Sequence, residues 1–186
     1  GGETPICSNA EVTKKIDPEI ITRFREQGIL YMRNLNDKLG LAWQKVFQTN
    51  DPKEVENYCT ENNMNFEWKS KDNLSIKWKR PALLIHPLTK EELWFNHGFF
   101  FNRWALSSSY ADAFSSSDLP FNTFYGNGEE IEKNVIENIA AAFENTKSIF
   151  KWEKNDVLVL DNMRMAHGRN AFTGSRKILV SMSSAY

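Results

Sequence analysis

The histidine at position 167 is the residue of this sequence best placed to do chemistry. It follows an apolar run at residues 157–160, and Arg169 and Arg176 come soon after it. An apolar strand that ends in a turn would carry the imidazole to the mouth of a pocket. Imidazoles bind metal ions and guanidinium groups bind anions, so the pattern suits a site that holds both together. Taken alone, however, a single histidine more often has a structural role.

The sequence gives less support for a chemical role of the other two histidines. His86 lies in the apolar segment LLIHPL, where a structural role is expected. His97 follows Asn96 in WFNHGFFFN, among aromatic residues at the predicted end of a strand. The imidazole of His97 could line a substrate pocket, although a histidine that is hydrogen-bonded within the fold is the more frequent outcome.

Helix signals are clear along the chain. Ser8 and Glu11 form a capping box, which predicts a short helix from Ser8. Asp17 and Asp51 are each followed by proline, as expected for an N-cap and the first helical residue, and Gly28 is a typical helix stop. The run AWQKVFQT is also helical in character. The clearest helix spans residues 128–146, with an apolar stripe at helical spacing: Ile131, Val135, Ile139, Ala142 and Phe143.

Strand signals fall in three regions. Residues 29–35 form one β-favouring run, and residues 66–95 contain several short runs with a period of two, which indicates antiparallel strands. Two closing strands are predicted at residues 156–162 and 176–184. Residues 97–120 are irregular and include serine clusters typical of loops. Helices inserted among short antiparallel strands predict an α+β protein with a β-sandwich or barrel core.

Composition excludes several classes of function. The chain has 186 residues, enough for one domain with a substantial core, and its 23 Lys and Arg against 24 Asp and Glu are mixed along the sequence. This balance argues against nucleic acid or an anionic membrane surface as the partner. No apolar run approaches the roughly 18 residues that a membrane-spanning helix needs. Cys7 and Cys59 have no ligand spacing, which predicts reduced thiols in a cytoplasmic protein.

Two terminal motifs give the sequence a family resemblance. The segment DNMRMAHGRNAFTGSRKILVSM, residues 161–182, resembles the C-terminal motif of the taurine dioxygenase-like family of iron(II)/2-oxoglutarate oxygenases, and the opening GGETP resembles the Gly-Gly-Asp/Glu-Thr segment of that family. The branch it most resembles is that of the syringomycin-biosynthesis-type hydroxylases of nonribosomal peptide pathways. Five segments in between match that branch in order and spacing: LYMRNL, WQKVFQTNDPKEVENYC, FEWK, ELWFN and YGNGEEIE.

The resemblance implies a double-stranded β-helix, or jelly-roll, core in one domain over residues 1–186. It implies Fe(II) held by two histidines and one carboxylate, with 2-oxoglutarate and oxygen as cosubstrates. His167 matches the second histidine of that set. Arg176 matches the arginine that clamps the far carboxylate of 2-oxoglutarate, and Thr4 matches the threonine that assists it.

Other residues of these motifs have less specific expectations. Arg169, Asn96 and His97 are expected to contact cosubstrate or substrate, with a salt bridge to a neighbouring acid as the alternative for Arg169. Asp161 and Asn162 are expected to stabilise the turn or to support the ligands from outside the metal site.

The first histidine and the carboxylate of this family form a His-x-Asp/Glu motif shortly upstream of GGET. The sequence begins at GGET, and neither His86 nor His97 has an acid two residues on. We therefore expect both ligands to precede Gly1, in an N-terminal part of a longer protein. The alternative is a chain that is complete at this length and has one metal ligand.

Two functions follow from these expectations. The first is hydroxylation of an amino acid or amino-acid derivative, including one tethered to a peptidyl carrier protein. The second is a truncated, non-catalytic jelly roll that serves as a binding module, with the serine-rich loop 107–117 and the aromatic residues 99–101 as its partner surface. For that loop and those aromatic residues, packing over the protein's own core is the simplest expectation.

Overall fold

Helices and antiparallel sheets make up the computed structural model, which describes residues 1–38, 40–106, 111–175 and 177–182. The α-helices are α1 (Asn9–Lys15), α2 (Pro18–Gln27), α3 (Trp43–Phe47), α4 (Pro52–Glu61) and α5 (Lys133–Glu144), with a 3-10 helix at Arg103–Ala105. The strands are β1 (Thr4–Ser8), β2 (Ile29–Leu35), β3 (Asn65–Ser70), β4 (Asn73–Arg80), β5 (Leu83–Ile85), β6 (Glu92–Trp94), β7 (Phe121–Tyr125), β8 (Ser148–Phe150) and β9 (Met165–His167).

The helix boundaries follow the predicted caps. The side chains of Ser8, Asp17 and Asp51 each accept a hydrogen bond from a backbone N–H two or three residues later, at the start of α1, α2 and α4. Gly28 ends α2 with φ of 70°, a left-handed conformation that favours glycine. These local predictions are confirmed because each depends on a few adjacent residues.

Three antiparallel sheets are formed by the described strands. Their orders are β8-β1-β9, β3-β4-β2-β7 and β5-β6. In the four-stranded sheet β2 lies between β4 and β7, with Tyr31 opposite Trp78 and Ile29 opposite Arg80. The predicted antiparallel strands of residues 66–95 are confirmed, whereas β1, β7 and β8 were not predicted from the sequence.

The main core lies between α1, α2, α5 and the sheets. Phe24 of α2 packs edge-on against Trp94, with ring centroids 5.2 Å apart, and also contacts Tyr125. Four residues of the predicted stripe are buried and Phe143 is partly buried against the same core. The helix begins at Lys133, so Ile131 precedes it. A smaller cluster under α3 and α4 contains Trp43, Val55, Cys59, Leu74 and Ile76, among other apolar residues.

The predicted closing strands are wrong for the described residues. Residues 157–160 and 177–182 belong to no strand, and the strand in this region is the short β9. Val157 and Val159 are 85% and 87% exposed, and Leu179 and Val180 are each 82% exposed. Alternating apolar residues show that a segment is suited to a sheet, but a strand forms only where a neighbour supplies the hydrogen bonds. Within the described residues these two segments have no such neighbour.

The remaining global expectations concern fold class, cysteines and membrane spans. Mixed helices and antiparallel sheets agree with the predicted α+β class and are consistent with a jelly-roll family. Cys7 and Cys59 are both free and buried, and burial raises the pKa of each thiol. In the described ranges, no helix combines the length and apolar character that a bilayer crossing demands.

Candidate functional site

The two terminal motifs of the chain lie side by side. Strands β1 and β9 pair with Ile6 opposite His167. The pairing continues past β9, because Gly168 N–H donates to the Pro5 carbonyl at 2.9 Å and Asn170 N–H donates to the Glu3 carbonyl at 3.0 Å. The same register places Thr4 opposite Arg169. Segments that are more than 150 positions apart in sequence therefore form one antiparallel ribbon that carries His167.

His167 opens onto a cavity of about 350 Å³. Asn96, His97 and Asn162 line the same cavity, so the structure brings together four of the residues singled out from the sequence. Aromatic side chains form much of the remaining wall: Tyr31, Trp78, Trp94, Phe95 and Phe143. A concave, largely apolar cavity with a few polar groups is the usual form of a small-molecule site.

Asn96 shapes the loop that carries His97. Its amide nitrogen donates to the Ala82 carbonyl at 2.9 Å, and its amide oxygen accepts from Gly98 N–H at 2.8 Å. Partial desolvation and the neighbouring His167 lower the pKa of His97 below its usual range, so the ring is uncharged at neutral pH. Asn96 thus holds the loop, and His97 presents a neutral imidazole beside His167.

A buried histidine anchors the turn that precedes β9. His86 is 2% exposed, and its Nδ1 accepts from Thr89 N–H at 3.0 Å. Its Nε2 therefore carries the proton and donates to Asp161 Oδ2 at 2.9 Å. Asp161 Oδ1 accepts from Met163 N–H at 3.0 Å. These contacts give His86 the structural role that was predicted. They also give Asp161 the turn-stabilising role that was expected of it.

The charge of Asp161 follows from the same contacts. Burial alone would raise the pKa of its carboxyl group, but hydrogen bonds from His86 and from the N–H groups of Met163 and Arg164 lower it below the ordinary value. The turn also contacts α1, since the Asn9 side chain donates to the Met163 carbonyl at 2.8 Å. This turn fixes where β9, and therefore His167, begins.

We expect His86→Ala to reduce the free energy of unfolding by about 2–4 kcal/mol, because it leaves a cavity and removes the hydrogen bonds of a buried ring. Urea denaturation of the full-length protein measures this change. Arg164→Gln is the matched control, since it removes an exposed 3.1 Å ion pair with Glu91 between the same two turns. The control should cost less than about 1 kcal/mol. Equal losses in the two variants would contradict the anchoring role of His86.

The structure describes only some of the residues that are expected to bind 2-oxoglutarate. Thr4 is buried, and its hydroxyl accepts a hydrogen bond from the Trp152 indole at 2.7 Å. Arg176 lies outside the described residues. The Arg169 guanidinium lies 6.0 Å from the Phe172 ring centroid and has no acidic partner within the described chain. The salt bridge considered for Arg169 is therefore absent among the described residues.

The described residues supply only part of an iron site. No group of three His, Cys, Asp or Glu side chains within the described ranges could hold a metal ion. His167 and His97 share one cavity, but none of the described residues that line it has a carboxylate. Two histidines and one carboxylate on one face are the typical ligands of Fe(II) in non-haem oxygenases. These residues alone therefore do not fit that ligand set, although His167 fits one position of it.

Sequence reasoning missed several residues of the cavity wall. Tyr31, Trp78 and Arg80 line it, together with Asn9 and Trp94. The period of two in LSIKWKR does place Trp78 and Arg80 on one face of β4. Nothing in the sequence, however, indicates that this face turns towards His167.

Comparison with known proteins agrees with the resemblance in the sequence. The model of the family described as taurine catabolism dioxygenase TauD, TfdA family matches residues 1–182. The dapdiamide synthesis protein DdaC of Enterobacter agglomerans is 40% identical over 186 residues, covering 98% of this chain and 56% of that protein. A clavaminate synthase-like protein of Arabidopsis thaliana is 25% identical over 192 residues, with the same two coverages. The chain thus spans little more than half the length of these relatives.

Proposed function

The chain belongs to the TauD/TfdA family of dioxygenases, and on that premise we propose that the full-length protein is an Fe(II)/2-oxoglutarate-dependent oxygenase that hydroxylates a small molecule. Members of this family use Fe(II), 2-oxoglutarate and oxygen. The observation that supports this function best is the ribbon of β1 and β9. It aligns the two motifs typical of the family and opens His167 onto a cavity of small-molecule size.

His167 is the iron ligand that this chain contributes. We place the other two ligands, a His-x-Asp/Glu motif, in sequence that precedes Gly1 in the full-length protein. The coverage of 56% of each relative leaves room for such a segment. Bound iron would activate oxygen while 2-oxoglutarate is decarboxylated to succinate, and the protein would position the substrate and exclude water.

The cosubstrate is held, in this proposal, by Thr4 and Arg176. The Thr4 hydroxyl accepts from Trp152, which leaves its own O–H free to donate to a carboxylate. A guanidinium can form two parallel hydrogen bonds to a carboxylate and keeps its charge inside a pocket. Arg169, which lies opposite Thr4 two residues beyond β9, is the additional basic group near this position.

We propose an amino acid or amino-acid derivative as the substrate and a peptidyl carrier protein as the partner that presents it. The resemblance to hydroxylases of nonribosomal peptide pathways supports both. The name of DdaC, which links that relative to dapdiamide synthesis, also supports this class of substrate. A volume of about 350 Å³ suits a molecule of that size.

The two apolar segments, residues 157–160 and 177–182, complete the jelly roll in the full-length protein. Their exposed Val157, Val159, Leu179 and Val180 side chains support this proposal, because exposed apolar patches usually mark surfaces that are covered. In hydrogen–deuterium exchange of the full-length protein, we expect amides of residues 157–160 to exchange as slowly as those of β2, since both would lie in ladders. Exchange as fast as in an exposed loop would contradict this placement.

The proposed function is tested by succinate formation from 2-oxoglutarate with the full-length protein. We expect succinate to form with Fe(II) and oxygen and to be lost when a chelator removes the metal. Succinate formation that is the same with and without iron would contradict the proposal.

A further inference from the structure

One wall of the cavity beside His167 is positively charged. Among the described residues that line the cavity, Arg80 is the side chain with a permanent formal charge, and no Asp or Glu is present to balance it. Its guanidinium donates to the backbone carbonyl of the adjacent Lys79 at 3.1 Å and has no carboxylate partner within the described ranges. An arginine near a binding cavity with no protein acid to pair with is available to an anionic ligand.

The position of Arg80 follows from the register of β2 and β4. Tyr31 and Trp78 are directly opposite each other, and their rings stack with centroids 5.4 Å apart and an interplanar angle of 11°. Arg80 is two residues beyond Trp78, so it lies on the same face of β4. The stacked rings and the guanidinium therefore form one continuous wall, with a flat apolar part and a charged part.

Arg80 is exposed to solvent at the end of β4, and its charge still reaches Tyr31. Burial raises the pKa of Tyr31 to about 12, while a hydrogen bond from the His97 backbone and the charge of Arg80 act in the opposite direction. Arg80 is thus close enough to influence the Tyr31 hydroxyl.

We propose that the cavity takes a substrate with a free carboxylate, which pairs with Arg80 while the carbon skeleton lies against Tyr31 and Trp78. This inference rests on the proposed function, because it takes the cavity beside His167 as the substrate site. It narrows the substrate class to amino-acid derivatives with a free carboxylate. Because a carrier protein holds an acid as a thioester, a carrier-bound substrate would need a second carboxylate for this contact.

The experiment compares acids with neutral counterparts of the same shape. A panel of N-acetyl-L-amino acids and their primary amides is titrated into the full-length protein under nitrogen, and dissociation constants are measured by calorimetry. We expect acids to bind wild type at least about tenfold more tightly than amides, because a charge-assisted hydrogen bond is lost in the amide. Arg80→Gln should abolish this preference.

Lys77→Gln is the matched control. Lys77 is an exposed cation on the same strand as Arg80, but it lies on the opposite face and does not line the cavity. This variant should keep the preference for acids. Acids and amides that bind wild type equally, or fail to bind it, would overturn the proposal, as would a preference that survives Arg80→Gln.

A second arm of the titration distinguishes the substrate from 2-oxoglutarate as the source of the carboxylate. With saturating 2-oxoglutarate present, a preference that persists supports a separate substrate site, and one that disappears overturns it in favour of cosubstrate binding. Iron-dependent succinate formation is a separate test, and it decides whether the proposed function stands. Wild type that prefers acids but forms no succinate would refute the oxygenase and leave the anion site standing.

Discussion

His167→Ala should lower iron-dependent turnover of 2-oxoglutarate by about 100-fold or more, because even the loss of a residue that only supports a ligand costs roughly 10- to 100-fold. His167 extends from β9 into the cavity, and Asp161, anchored by His86, fixes the turn before it. Truncating the imidazole removes the proposed metal ligand without altering that anchor. The measurement is succinate formed per minute by full-length protein at saturating 2-oxoglutarate and iron.

His97→Gln is the control for this prediction. It removes the other imidazole of the same cavity, which has no assigned role as a ligand. We expect this variant to bind Fe(II) as tightly as wild type. Turnover that persists in His167→Ala, or iron binding that is lost equally in both variants, would show that the metal assignment is wrong.

Arg176→Ala should raise the concentration of 2-oxoglutarate needed for half-maximal turnover by roughly 30- to 1,000-fold. Two charge-assisted hydrogen bonds are lost, worth about 2–4 kcal/mol together. Arg176→Lys should recover only part of the loss, because an ammonium keeps the charge but has no planar fork. The measurement is the dependence of the initial rate on 2-oxoglutarate concentration.

Arg169→Ala separates this role from a general effect of basic charge. Arg169 is the neighbouring arginine on the ribbon, and its guanidinium lies over Phe172. We expect its loss to change the 2-oxoglutarate requirement by less than about tenfold, as for an exposed charge. A requirement that is unchanged in Arg176→Ala, or raised equally in Arg169→Ala, would reject the assignment of the clamp to Arg176.

Sequence reasoning succeeded where structure depends on adjacent residues. The caps at Ser8, Asp17 and Asp51 and the stop at Gly28 were all predicted, because each needs only a side chain and the next turn of backbone. Strands β2 to β6 carry their own alternation of apolar residues. The register of these strands, and with it the stacking of Tyr31 on Trp78, was beyond such reasoning.

Strands that depend on distant partners were predicted poorly. Strand β1 is formed from residues 4–8 because β8 and β9, more than 140 positions away, lie on either side of it. In contrast, residues 157–160 have the composition of a strand but no neighbour among the described residues. Composition indicates that a segment is suited to a strand, whereas the presence of a neighbouring strand decides whether it forms one.

The candidate site also contains residues with a local sequence signal and residues without one. His167 was found through its motif, and Asn96 and His97 through their place among aromatic residues at a strand end. The structure puts all three at one cavity. Arg80 carries no local signal, because its role depends on the pairing of β2 with β4 and on the absence of an acid among the described lining residues. The roles of Thr4 and Arg176 at 2-oxoglutarate stay predictions.

The measurement that tests the central claim most directly is the visible absorption of full-length protein titrated under nitrogen with Fe(II) and then 2-oxoglutarate. A 2-oxoacid that chelates Fe(II) produces a charge-transfer band, so the reading needs neither substrate nor turnover. We predict a band in wild type that requires both additions and is missing in His167→Ala. No band in wild type, or an unchanged band in His167→Ala, would contradict the account and favour a binding module instead.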